Sequence, residues 1–206
     1  MPMDMKPRGS DLFDKLDRED EQESRELEVT KNPTLESLLK GFENYLNSIS
    51  SPYYSEKYEI ASRCLTSEPI SARDVFEFSI RLARYENRDD MSYSVVPYLN
   101  QIIYRCRDDD VTICTNGLHC LLNNIGRDND GKNIIVIGDA GSLVGGEMRN
   151  GAIRIGGRIE GVPGQYMSGG EIYIDGGKAF RLPKSARGGD IYYKGKLKMR
   201  DGGRVR

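Results

Sequence analysis

Residues 145–157, GGEMRNGAIRIGG, and residues 163–177, PGQYMSGGEIYIDGG, carry one pattern twice. A Gly is followed three residues on by a Met, then by a Gly, an alternating segment and a Gly pair. The step between the copies is 19 residues, and it continues in both directions. Gly138, Gly157, Gly176 and Gly195 keep it, as do Gly151, Gly170 and Gly189. So do Ile134, Ile153, Ile172 and Ile191, the set Val136, Ile155, Ile174 and Tyr193, the set Met148, Met167 and Ala186, and the set Val144, Pro163 and Leu182. A fixed period near 20 residues marks a solenoid, in which each repeat buries its apolar face only against its neighbours.

The local period identifies the kind of solenoid. AIRI, EIYI and DIYY alternate with period two, which is the pattern of a strand. Strands at a constant offset stack as a parallel ladder with a spacing of about 4.8 Å. The expected fold is α+β: a small N-terminal helical domain followed by a short right-handed parallel β-helix of about three and a half 19-residue rungs. Ile153, Ile172 and Ile191 should face inward, and so should Ile155, Ile174 and Tyr193. Met148 and Met167 should fill the space near a corner. Arg154, Tyr173 and Tyr192 should form an outward column. A second strand in each rung is expected around Val144, Pro163 and Leu182. Two other architectures compete. Left-handed hexapeptide helices are built from six-residue units, into which a 19-residue rung does not divide. Polymerising β-helices of the bactofilin type have looser rungs without the Gly-x-x-Met-x-x-Gly spacing.

Glycine content divides the chain. Of 23 glycines only Gly9, Gly41, Gly117 and Gly126 precede residue 131, and a boundary is placed in GRDNDGK, residues 126–132. Residues 1–30 hold ten acidic and five basic side chains with few large apolar ones, the composition of a disordered charged tail. Residues 31–130 are expected to be helical. Leu35, Leu38, Leu39, Phe42, Leu46 and Ile49 form one stripe that Pro52 ends. A shorter helical piece is expected around Glu56–Cys64. Ser71 and Asp74 have capping-box spacing ahead of Phe76, Ile80 and Ala83. Leu99, Ile102, Ile103 and Cys106 form a stripe over 96–106, with Pro97 in its first turn. A last helix is expected over 118–125. Residues 131–196 are the β-helix and 197–206 a basic tail.

The segment IIVIGDAGSLVGGEMRNGAIRIGGRIEGVPGQYMSGGEIYIDGGKAF resembles the glycine-rich rungs of the GXGXG domain family, over about residues 131–196. Gly141, Val144, Gly145, Met148, Gly151, Ile153, Ile155 and Gly157 match the family's rung. Gly161, Gly164, Met167, Gly169, Gly170, Ile172, Ile174 and Gly176 match the next. Pro163 stands in place of the usual valine and Ala186 in place of the Met, and the family's helices usually have more rungs. The family forms the C-terminal β-helix of the glutamate synthase large subunit and the β-helical subunit of formylmethanofuran dehydrogenase. The resemblance implies a structural role: in both enzymes the β-helix braces catalytic parts that lie elsewhere. It therefore implies protein partners in a multi-subunit redox complex, with no catalytic residue and no cofactor in the chain itself.

The residue inventory agrees with that implication. Residues 131–206 contain no His and no Cys, so Ser142, Ser168 and Ser185 lack a base there, and no carboxylate pair is marked out for acid–base work. The four cysteines, Cys64, Cys106, Cys114 and Cys120, form no C-x-x-C pair and read as reduced thiols. Cys114, His119 and Cys120 offer three metal ligands but no evident fourth, and no metal site is assigned. GDAGSLVGG lacks the G-K-[ST] ending and the following helix of a phosphate loop; its glycines suit solenoid corners.

Two features point to binding. Arg154, Tyr173 and Tyr192 are spaced to hold a base or a peptide. Residues 178–206 hold ten basic and two acidic side chains, suited to nucleic-acid phosphates, to the acidic N-terminus, or to capping the open end of the solenoid. Ile135 and Ile137 should face outward, and the helical domain is expected to cover them and seal the first rung. No apolar run reaches the roughly 18 residues of a membrane span. The N-terminus has no apolar core of a secretory signal, so the cytoplasm is the expected location.

Overall fold

The computed structural model describes residues 32–50, 52–85 and 91–205. The described residues from Thr34 onward belong to one compact unit. The charged tail expected over 1–30 lies outside the described residues.

Four α-helices open the described chain: α1 (Pro33–Ser48), α2 (Tyr54–Cys64), α3 (Ala72–Arg81) and α4 (Met91–Arg105), with a 3₁₀ turn at Leu82–Tyr85. Of the stripe expected on α1, Leu35, Leu38, Phe42 and Leu46 are buried and Leu39 and Ile49 half-buried, and Tyr45 is buried beside them. The capping box that starts α3 is present: the Ser71 hydroxyl accepts the Asp74 N–H, and the Asp74 carboxylate accepts the Ser71 N–H at 2.8 Å. α4 begins five residues earlier than its stripe suggested. Met91 and Val95 are buried, and that packing carries the helix through Pro97. Pro97 therefore sits inside α4 and leaves the Tyr93 carbonyl without its intrahelical donor. Phe42, Tyr45, Phe78 and Tyr98 interlock at the helical core, with ring centroids 5.2–6.2 Å apart. The buried hydroxyls find carbonyls: Tyr45 donates to Ser94 and Tyr98 to Leu38.

The rest is a β-solenoid of about four turns. Its main sheet stacks β1 (Asp110–Cys114), β2 (Asp130–Ile137), β3 (Asn150–Ile155), β5 (Glu171–Ile174) and β7 (Asp190–Tyr193), all parallel. Ile134, Ile153, Ile172 and Ile191 are register partners in succession, each at most 1% exposed. Ile155 and Ile174 stack the same way and are buried, whereas Tyr193 above Ile174 is half-buried. Met148 and Met167 are fully buried. The second face consists of β4 (Ile159–Gly161) paired in parallel with β6 (Lys178–Phe180), and the Ala140–Ile159 bridge extends it. The second strand thus lies elsewhere than expected, because Val144 and Pro163 occupy the turns between strands, buried there by inward-pointing side chains.

Solenoid structure begins at Asp110, so the division expected at 126–132 falls inside it. Residues 118–125 form no helix. They make a corner and a turn of the first rung, where Leu122 and Ile125 are buried. At the other end the chain reverses. β8 (Lys196–Arg200) pairs antiparallel with β7, and β9 (Gly203–Arg204) antiparallel with β8. The basic terminus is thus a hairpin that continues the sheet.

The helices close the β1 end. The Cys114 N–H donates to the Ser79 hydroxyl of α3 at 2.8 Å, and the Arg107 N–H to the Ile70 carbonyl at 2.9 Å. Val111 and Ile113 are buried beneath them. The helices do not cover the outer face: Ile135 and Ile137 remain 45% and 42% exposed. β1 supplies an extra rung, and the helices pack on that rung rather than around the side of β2.

Candidate functional site

The glycine columns answer to two constraints. Gly157 and Gly176 have ordinary φ but stack backbone on backbone: a Cβ at Gly176 would stand 2.1 Å from the Gly157 carbonyl oxygen. Gly138 and Gly195 instead have φ of +117° and +71°, in the region that favours glycine. These positions hold the rungs in register and so fix the spacing of whatever the outer faces display.

The outer face of the main sheet displays the predicted column. Ile135, Arg154, Tyr173 and Tyr192 are register partners in turn. The Tyr173 and Tyr192 rings stack at 4.7 Å with planes 8° apart. Each hydroxyl donates to the acid two residues earlier on its own strand: Tyr173 to Glu171 at 2.8 Å, Tyr192 to Asp190 at 3.3 Å. The hydrogen bond to Glu171 is the first cause of a Tyr173 pKa pushed up to about 12. Arg154 pairs with Asp175 at 2.6 Å. The face therefore has exposed isoleucines toward the helical end, a paired arginine in the middle and a tyrosine stack beyond.

A second feature lies where the solenoid meets the terminal hairpin, within the basic stretch singled out as a possible binding segment, but the cleft itself was not foreseen. A cleft of about 320 Å³ is lined by Phe180, Arg181, Leu182, Tyr193, Lys198 and Arg204. A second, of about 370 Å³, shares Arg181, Leu182 and Arg204 and adds Tyr166, Lys184 and Ser185. Phe180 meets the Tyr193 ring edge to face at 5.6 Å, and the Lys194 ammonium lies 5.6 Å from the centre of the Tyr193 ring. Among the described residues, no salt bridge involves Arg181, Lys184, Lys198 or Arg204. The run of basic residues after 178 was the available signal. What it lacked was the chain reversal at Lys194–Gly195, which brings Lys198 and Arg204 back to Arg181.

A third cluster joins the helices to the first rungs and is structural. Asn100 of α4 donates to the Tyr58 hydroxyl at 2.6 Å and to the Asn124 carbonyl at 2.9 Å. Arg127 pairs with Glu147 and lies over the Tyr54 ring. The Tyr104 hydroxyl donates to the Arg127 carbonyl. Burial raises Tyr54, Tyr58 and Tyr104 above the usual phenol range. Burial, reinforced by the negative charge of Glu147, also raises the Asp128 carboxyl.

Among the described residues no group of three or more His, Cys, Asp or Glu side chains is arranged to hold a metal, so Cys114, His119 and Cys120 do not converge. No helix among them is long and apolar enough to cross a membrane. No protein-family model, no curated protein and no solved structure matches the chain.

Proposed function

We propose that this chain is a non-catalytic scaffold whose β-helix, of the GXGXG type, braces partner proteins in a multi-subunit redox complex. The observation that supports the reading is the outer column Ile135–Arg154–Tyr173–Tyr192. It is held in backbone register over an aliphatic core, with Ile135 exposed within it and Ile137 exposed beside it. Such a face is preorganised by its backbone register, and Tyr and Arg are both enriched at protein interfaces, where tyrosines with their two side-chain torsions give contact area at low entropic cost. The redox setting comes from the resemblance of the rungs, as does a second reading, a diverged form of the β-helical subunit of formylmethanofuran dehydrogenase. Genes for molybdenum or tungsten and iron–sulfur subunits beside this one would favour that second reading.

The test is affinity purification of the tagged chain from its native host, beside an Ile135→Asp/Tyr173→Ala double variant. Proteins that co-elute in fixed ratio with the wild type and are lost from the variant support the scaffold reading. An identical set from both, or none in fixed ratio, defeats it.

A further inference from the structure

The cationic clefts at the open end differ from the tyrosine face in both charge and shape. β6 is the last strand of its two-stranded parallel sheet, with β4 on one side and no strand of the described residues on the other. Immediately after it the chain turns through Arg181, Leu182 and Lys184, and the hairpin strands β8 and β9 present Lys198 and Arg204 across the cleft. The two clefts share three lining residues and so adjoin as one trough-like surface, and among the described residues no acidic side chain lines it. Four cations around an apolar floor are electrostatically unbalanced, and a ligand that supplies carboxylates at spaced intervals would balance them.

We infer that this trough binds an extended acidic peptide segment of a partner protein, laid alongside β6 as the next rung of the solenoid. The inference rests on the scaffold reading and names the chemistry of one partner. In an extended chain, alternate side chains share a face and recur about every 6.6 Å. Acidic residues at alternate positions would therefore meet Arg181, Lys184, Lys198 and Arg204, and an apolar residue would reach Leu182 and the Phe180–Tyr193 pair. Strand addition at a sheet margin is an established route to peptide recognition. Nucleic acid fits the cleft less well. Single strands bind by stacking bases on bare aromatic faces, whereas the Tyr193 ring already meets the Phe180 ring and has Lys194 close to it.

The experiment uses the full chain and a fluorescein-labelled heptapeptide that alternates Glu with Val and Phe, read by anisotropy. Its Gln-for-Glu counterpart and an oligothymidylate of equal charge serve as comparison probes. The expected result is saturable binding of the Glu peptide, at least about tenfold tighter than either comparison probe. An Arg181→Glu/Arg204→Glu variant that keeps the wild-type circular dichroism and melting temperature should weaken it at least about tenfold, and Arg181→Gln/Arg204→Gln by less. Equal binding of the Gln peptide, or an unchanged affinity in the charge-reversed variant, overturns the inference. Tighter binding of the oligothymidylate overturns it in favour of a nucleic-acid site. The Ile135→Asp/Tyr173→Ala variant should bind the peptide as the wild type does, so failure of the sheet face and failure of the trough are read separately.

Discussion

The side-chain oxygen of Asn100, buried in α4, accepts the backbone N–H of Gly126 at 3.0 Å, while its amide donates to the Asn124 carbonyl and to Tyr58. One side chain thus ties α4 to α2 through one group and to the first solenoid turn through two. Truncation to Ala takes this partner from the buried Gly126 N–H and the half-buried Tyr58 hydroxyl, while the Asn124 carbonyl keeps the Arg127 N–H; a buried polar group left unpaired costs about 1–3 kcal/mol. Because the three belong to one network, the expected loss for Asn100→Ala is about 3 kcal/mol rather than a simple sum. Urea denaturation measures it, and a loss below about 0.5 kcal/mol would mean that the network is not what joins the two parts.

Inward and outward isoleucines on the same sheet should respond in opposite ways. Ile172 is fully buried between Ile153 and Ile191, whereas Ile135 is 45% exposed. Ile172→Ala is expected to cost about 2–5 kcal/mol, from lost transfer energy plus a cavity that rigid rungs above and below cannot close. Ile135→Ala should stay within about 0.5 kcal/mol. Similar losses at both positions would contradict the alternation on which the solenoid rests.

Alkaline pH should weaken the fold through its tyrosines. Burial raises Tyr54, Tyr58, Tyr98 and Tyr104, and the hydrogen bond to Glu171 chiefly raises Tyr173, to about 12. Above pH about 10 the unfolded chain gives up phenol protons that the folded chain retains. The unfolded state then binds fewer protons, so the stability these groups contribute is complete below pH about 10 and falls as pH rises through the folded values. Stability measured in urea from pH 8 upward should begin to decline near pH 10. A profile that stays flat from pH 8 to about pH 12 would refute the burial assigned to these side chains.

How much of this was legible follows from where the repeat is regular. The columns through Ile153, Ile172 and Ile191 give register, facing and the stacked tyrosines, because each rung there repeats the residue types that each position needs. The first rung is irregular. β1 pairs with β2 at Val111↔Ile134, a longer step than the later ones, and the glycines that mark the corners are mostly missing. Asn129 takes the position corresponding to Met148 and Met167. Its side chain is fully buried but serves backbone groups, donating to the Lys132 carbonyl and accepting the Lys132 N–H. A polar residue in an apolar column hides the rung, and the spaced apolar residues Leu118, Leu121, Leu122 and Ile125 then imitate a helix. The trough was illegible for a different reason: it depends on a chain reversal, which periodicity does not encode.

The irregular first rung nevertheless shares its backbone with the others. Asp128, Glu147 and Tyr166, each 19 residues after the last, all have left-handed conformations, with φ of 63°, 58° and 62°. This is a sterically disfavoured region for a residue with a bulky side chain, and one such residue costs on the order of 1 kcal/mol or more. The three are held there differently. Glu147 pairs with Arg127 and so returns part of the cost. Tyr166 is 51% exposed, so its ring recovers little by burial. Asn occupies left-handed conformations several-fold more readily than most residues. Tyr166→Asn should therefore raise stability by roughly 0.5–1 kcal/mol, while Glu147→Asn should gain less or lose, because the same backbone relief is offset by a broken ion pair. Thermal melts of the two variants, run together, check the ordering. If Tyr166→Asn melts below the wild type, the turn is held by contacts of that ring and not merely tolerated by the backbone.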